Sequence, residues 1–159
     1  MKGGDPVKKA RWKILFWAYL LLLFFVVILK FTGSVRALLD RMAIEPFGKP
    51  YNLEPFATLR IQLRYLHETW AQFNLLGNTL PFMPFGYLLP KAYRNVCSLW
   101  KVLLLGLMVV LFAETGQLIT NLGTFDVDDI ILNMFAIFVG YLPMGIGAVL
   151  RKKKRKKKK

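Results

Sequence analysis

Four apolar segments, residues 13–31, 73–90, 100–120 and 130–150, govern what this chain can fold into. Each comes close to the ~20 residues that a helix needs to cross a hydrocarbon core about 30 Å thick. Lipid offers no hydrogen bonds to an open backbone, so each segment reads as a helix that satisfies its own N–H and C=O groups. The expected fold class is an all-α integral membrane protein with four transmembrane helices and an amphipathic interfacial helix in the outer loop. A hydrophobic content of 55% in 159 residues and a mean hydropathy of +0.41 agree with that class. No convincing small-residue cleavage site follows the first segment, which therefore reads as a retained anchor rather than a secretory signal peptide.

Charge orients the segments. The formal net charge of +14 is dominated by the last nine residues, 151-RKKKRKKKK-159, all basic. Nucleic-acid binding is not indicated, because little of the charge belongs to the rest of the chain. Lys2, Lys8, Lys9, Arg11 and Lys13 precede the first span, Lys91, Arg94 and Lys101 lie between the second and third, and the basic tail follows the fourth. The other side holds only Arg36, Arg41, Lys49, Arg60 and Arg64, with no basic residue in 121–129. The positive-inside rule then places both termini in the cytoplasm of a multi-pass protein of a plasma membrane. Residues 1–150 read as one transmembrane domain and 151–159 as a basic cytoplasmic tail. The tail gains ~1 kcal/mol per basic residue from an anionic inner leaflet. Cys97 is the sole cysteine and excludes an intramolecular disulfide.

Within the second span, 74-NLLGNTLPFMPFGYLLP-90 combines two asparagines, two glycines and three prolines with apolar side chains. Each proline frees the carbonyl four residues earlier, Gly77 for Pro81 and Leu80 for Pro84, and lipid cannot satisfy it. A kinked, inward-facing helix is expected. Asn74 and Asn78 share one face, where they either glue helices together or meet a ligand. In the third span Glu114, with Gln117 one turn on, occupies an apolar segment where a charge costs at least ~2.5–3.5 kcal/mol. Before the fourth span come Asp126, Asp128 and Asp129, with Asn133 one turn inside. Given the alternating direction of the spans, Asn74, Asn78, Glu114, Gln117, Asp126, Asp128, Asp129 and Asn133 fall at one depth, the outer half of the membrane or its surface. They read as lining one outward-opening polar pocket. Two accounts of the aspartates stay open: helix capping, or a cation among Asp126, Asp128 and Asp129, either a divalent metal or Arg60 or Arg64.

In the outer loop Phe56, Leu59, Leu63, Leu66, Trp70 and Phe73 recur at helical spacing, with Arg60, Arg64, His67 and Glu68 between them. This predicts the amphipathic helix along the interface, entered through 51-YNLEPF-56. Arg60 and Arg64 are candidates to meet lipid phosphates, and His67 reads as a surface residue.

Taken in order, 52-NLEPF-56, 78-NTLPFMPFGYLLP-90, 114-ETGQ-117 and 126-DVDDIILN-133 followed by Gly140 resemble the VanZ-like family of small bacterial membrane proteins. The resemblance covers about residues 14–148. It implies a role in reduced susceptibility to teicoplanin and related lipoglycopeptides, and it makes Asn78, Pro84, Phe85, Gly86, Glu114, Gln117, Asp126, Asp129 and Asn133 the corresponding family positions. Two departures stand out: 121-NLGT-124 lacks an arginine that many members carry before the aspartates, and Ala136 replaces a glycine. Arg60 or Arg64 would have to substitute for the missing counter-charge.

No ATP-binding motif, nucleophile elbow or His-based metal signature occurs in the chain, which favours binding over catalysis. The leading expectation is a non-enzymatic protein without a cofactor, whose pocket engages a membrane lipid, a lipid-linked cell-wall precursor or the acyl tail of a lipoglycopeptide. One alternative is a metal-dependent membrane enzyme acting on a lipid phosphate or pyrophosphate. Another is a subunit that stabilises a larger envelope complex.

Overall fold

A computed structural model describes residues 6–29, 51–120 and 123–156. The chain is predominantly helical: α1 (Pro6–Leu29), α2 (Ala57–Arg64), α3 (Thr69–Thr79), α4 (Met83–Ala92), α5 (Leu99–Ile119) and α6 (Val127–Lys156). The two-residue strands β1 (Tyr51–Asn52) and β2 (Phe125–Asp126) form a parallel bridge.

Three stretches are long and apolar enough to cross a membrane: Lys9–Val27, Leu99–Ile119 and Val127–Gly147. The segment expected as a second span does not form one unbroken helix. It runs as α3, a 3-10 turn over Leu80–Phe82 and α4, with a proline in the first two positions of both the turn and α4. The cause is the one the prolines predict: rings without N–H groups interrupt the i to i−4 ladder. The Tyr19 hydroxyl of α1 donates to the Pro81 carbonyl at this break, at 2.7 Å.

Most of α4 is buried, including Phe85, Gly86, Leu88, Leu89, Pro90 and Ala92. It lies between α1 and α6, and its approach to α6 depends on two glycines. A Cβ on Gly140 would stand 1.8 Å from the Met83 carbonyl oxygen, and one on Gly86 would stand 2.0 Å from that of Ile137. Backbone therefore meets backbone at this crossing, the close packing that small residues permit between membrane helices. Ala136 is fully buried on the same helix, so its position accepts a methyl group.

The end of the bundle where α4 leads into α5 carries an aromatic collar. Trp12 and Tyr87 pack edge to face at 6.2 Å, with Lys91 Nζ at 5.0 and 5.1 Å from their rings. Lys13 Nζ lies 5.5 Å from the Tyr93 ring, and Trp17 Nε1 donates to the Tyr93 hydroxyl at 3.0 Å. Amphipathic rings beside lysines suit a membrane–water boundary.

The helix expected across Phe56 to Phe73 is divided. It stops at Arg64 and resumes at Thr69, with the Glu68 N–H donating to the Tyr65 carbonyl between them. Phe56, Leu63, Leu66, Trp70 and Phe73 are exposed and Leu59 is partly buried, whereas Gln62 is 4% exposed.

Candidate functional site

A buried polar cluster is assembled at the opposite end of the bundle, where the ends of α3 and α5, the start of α6 and the 51–59 segment meet. Asp126 is the N-cap of α6, its Oδ1 accepting the Asp128 N–H at 2.9 Å, which satisfies one donor of the first turn. Capping of their own helix thus accounts for one of the three aspartates. Its other oxygen accepts the Thr58 hydroxyl at 2.6 Å, and Asn52, paired with Asp126 across the β1–β2 bridge, places Nδ2 3.5 Å from both carboxylate oxygens.

Asp128 caps a different helix. Phe56 precedes α2 in a left-handed conformation, φ 66° and ψ 9°, and offers no side-chain cap. The wholly buried Asp128 carboxylate supplies one from α6, with Oδ1 accepting the Phe56 N–H and Oδ2 the Leu59 N–H at 2.9 Å. Positive φ at a bulky non-glycine residue is disfavoured, and here a buried carboxylate holds it. Asp129 takes a third direction and accepts the Asn78 amide from α3. Glu114, 3% exposed in α5, lies with Oε2 3.4 Å from the Asp126 N–H.

The structure therefore brings Asn78, Glu114, Asp126, Asp128 and Asp129 into one connected cluster. Asn133 lies a turn deeper on α6, 2% exposed, and its Oδ1 has no hydrogen-bond partner among the described residues. Gln117, 8% exposed, borders the cluster on α5. Asn74 is exposed and outside it, as are Arg60 and Arg64, neither of which pairs with a carboxylate among the described residues. The counter-charge expected from those arginines is thus not supplied by them. Among the described residues, hydroxyl, amide and backbone N–H donors meet these carboxylates, as buried anions require.

Asp126, Asp128 and Asp129, the aspartates expected as possible metal ligands, accept hydrogen bonds from protein donors. Asp126 and Asp128 both accept from the 52–59 segment and Asp129 from α3, and among the described residues no group of three or more His, Cys, Asp and Glu converges as ligands. The cluster also differs from an open cleft, since the 51–59 segment covers it and its acids are largely buried.

Asn52 and Thr58 are cluster members that periodicity does not reveal. The signal that does exist is the 52-NLEPF-56 motif, whose Asn begins the covering segment: its Oδ1 accepts the Glu54 N–H at 3.1 Å, an Asx turn.

An apolar groove of about 430 Å3 runs beside the cluster. Leu20, Leu23, Phe24 and Val27 of α1 form one wall, Val109, Phe112 and Ala113 of α5 the other, and Phe82 of the 3-10 turn also lines it. Gln117 and Thr120 mark its polar end.

Three membrane-length helices, a broken helix against them and a closed acidic cluster at one end define a small polytopic helical membrane protein. The VanZ/LLP1 family model matches residues 16–147, and the chain belongs to that family. No match is found among curated proteins or among solved structures.

Proposed function

We propose that this VanZ-like membrane protein lowers susceptibility to teicoplanin and related lipoglycopeptides without catalysis, by engaging a lipid-linked ligand or the drug's acyl tail at its polar end. In this reading the broken α3–α4 unit completes a fourth pass, both termini are cytoplasmic, and the cluster faces outward. The observation that carries it is the burial of Glu114, Asp126, Asp128 and Asn133 at one end of a bundle of membrane-crossing helices. Intramembrane polar groups are costly and accompany function more often than they accompany simple packing. In this reading the ligand enters where the 51–59 segment covers the cluster. The segment's ties to α6 are hydrogen bonds from Asn52, Thr58, Phe56 and Leu59.

The test is expression in a susceptible Gram-positive host. Resistance to teicoplanin should rise more than resistance to vancomycin, which lacks the acyl tail. Equal protection against both contradicts recognition of the tail, and no change in either removes the resistance role.

A further inference from the structure

The groove between α1 and α5 has a built polar end. Gln117 is 8% exposed and lines the groove at that end. An amide carries two N–H donors and a carbonyl, so this residue places hydrogen-bonding capacity at the end of an otherwise apolar recess. Thr120 beside it has its hydroxyl committed to the Gly116 carbonyl at 2.6 Å.

The rest of the groove is hydrocarbon and lies between two helices of membrane-crossing length. Both helices pack on α4 rather than closely on each other, which leaves the gap open beside the 3-10 turn. Phe24 and Phe112, 54% and 76% exposed, stand at its sides. Gly116 contributes space as well, because a Cβ there would meet nothing within 4 Å. Sharing a volume in the range of small-molecule sites, such a recess in lipid fills with the chains around it, since an empty one forfeits dispersion contacts along its whole lining.

We infer that this groove holds one acyl chain of a membrane glycerolipid, with the lipid's ester carbonyl accepting a hydrogen bond from Gln117 Nε2. The chain threads between Leu23 and Phe112, and the headgroup stays at the end of the bundle that carries the acidic cluster. The inference does not depend on the drug-resistance reading and goes beyond it, because the ligand is a resident lipid bound in the absence of drug.

The test uses the purified full chain in phosphatidylglycerol–phosphatidylcholine nanodiscs doped with a phosphatidylcholine that carries a diazirine on one acyl chain. After irradiation, adducts are mapped by mass spectrometry. Phe135 and Ile146, 59% and 58% exposed on α6, report ordinary contact with surrounding lipid. Groove residues should be labelled about tenfold above them, the ratio that 1.4 kcal/mol of preference gives. Gly116→Phe and, independently, Ala113→Phe should abolish the excess by filling the groove while labelling of Phe135 and Ile146 holds. Gln117→Leu should lower it with the groove still open. Groove labelling no higher than at the reference residues overturns the inference, as it would if another part of the chain occupies the groove. So does an excess that survives both filling substitutions in variants that elute as the wild-type protein does.

Discussion

Asp128 ties the 51–59 segment to the bundle, because both of its oxygens accept N–H groups at the start of α2. Hydrogen bonds to a charged partner contribute about 1.5–3 kcal/mol each. Asp128→Ala leaves two donors without their acceptor and should destabilise the segment by about 3–6 kcal/mol on that scale. Asp128→Asn keeps one acceptor oxygen and should fall between alanine and wild type. Hydrogen exchange of the amides at residues 54–60 measures this. Equal protection in all three proteins would show that Asp128 does not hold the segment. The residue types at this site were legible in the sequence, as acids and amides where membrane segments rarely place them. The pairings were not. Asn78 with Asp129 and Thr58 with Asp126 join residues 51 and 68 positions apart, and helical periodicity carries no information about partners on other elements.

At the scale of the elements, the prolines were the readable signal. Pro81 and Pro84 marked the break between α3 and α4, and the interior setting of α4 followed from the need to shelter its exposed carbonyls. The division of the amphipathic stretch at Tyr65–Glu68 was hidden, because 65-YLHE-68 contains neither glycine nor proline and the apolar spacing continues through it. The crossing of α4 and α6 yields the sharpest prediction for an element. Gly140→Ala drives a Cβ against the Met83 carbonyl, a rigid backbone atom rather than a side chain that can turn away. Overpacking costs typically 1–3 kcal/mol even where side chains adjust, so the variant should lose about that much or more and accumulate poorly. Thermal unfolding in detergent reads the loss, and wild-type stability in Gly140→Ala would mean that the two helices do not meet at this point. Gly116→Ala, whose Cβ meets nothing within 4 Å, is the control on a neighbouring helix.

Across the whole molecule, length and hydropathy led directly to the membrane class, because a span of about 20 apolar residues leaves few other folds available. Orientation rests on charge alone and calls for its own experiment. Cys97 is exposed between α4 and α5, and His67 is exposed in the turn between α2 and α3. In intact cells an impermeant thiol reagent should leave Cys97 unlabelled but label a His67→Cys, Cys97→Ser variant. The reverse pattern would turn the polar end toward the cytoplasm and remove the site from the drug's side of the membrane. The central claim, that the buried polar cluster serves recognition rather than assembly, is tested most directly by the drug resistance of hosts that express Glu114→Gln, Asp129→Asn and Asn133→Ala at wild-type protein levels. An amide in place of Glu114 keeps hydrogen-bonding capacity and removes a costly charge, so a purely structural residue should tolerate it. The account predicts that all three variants accumulate in the membrane yet lose protection against teicoplanin, whereas full protection in all three would return these residues to structural roles.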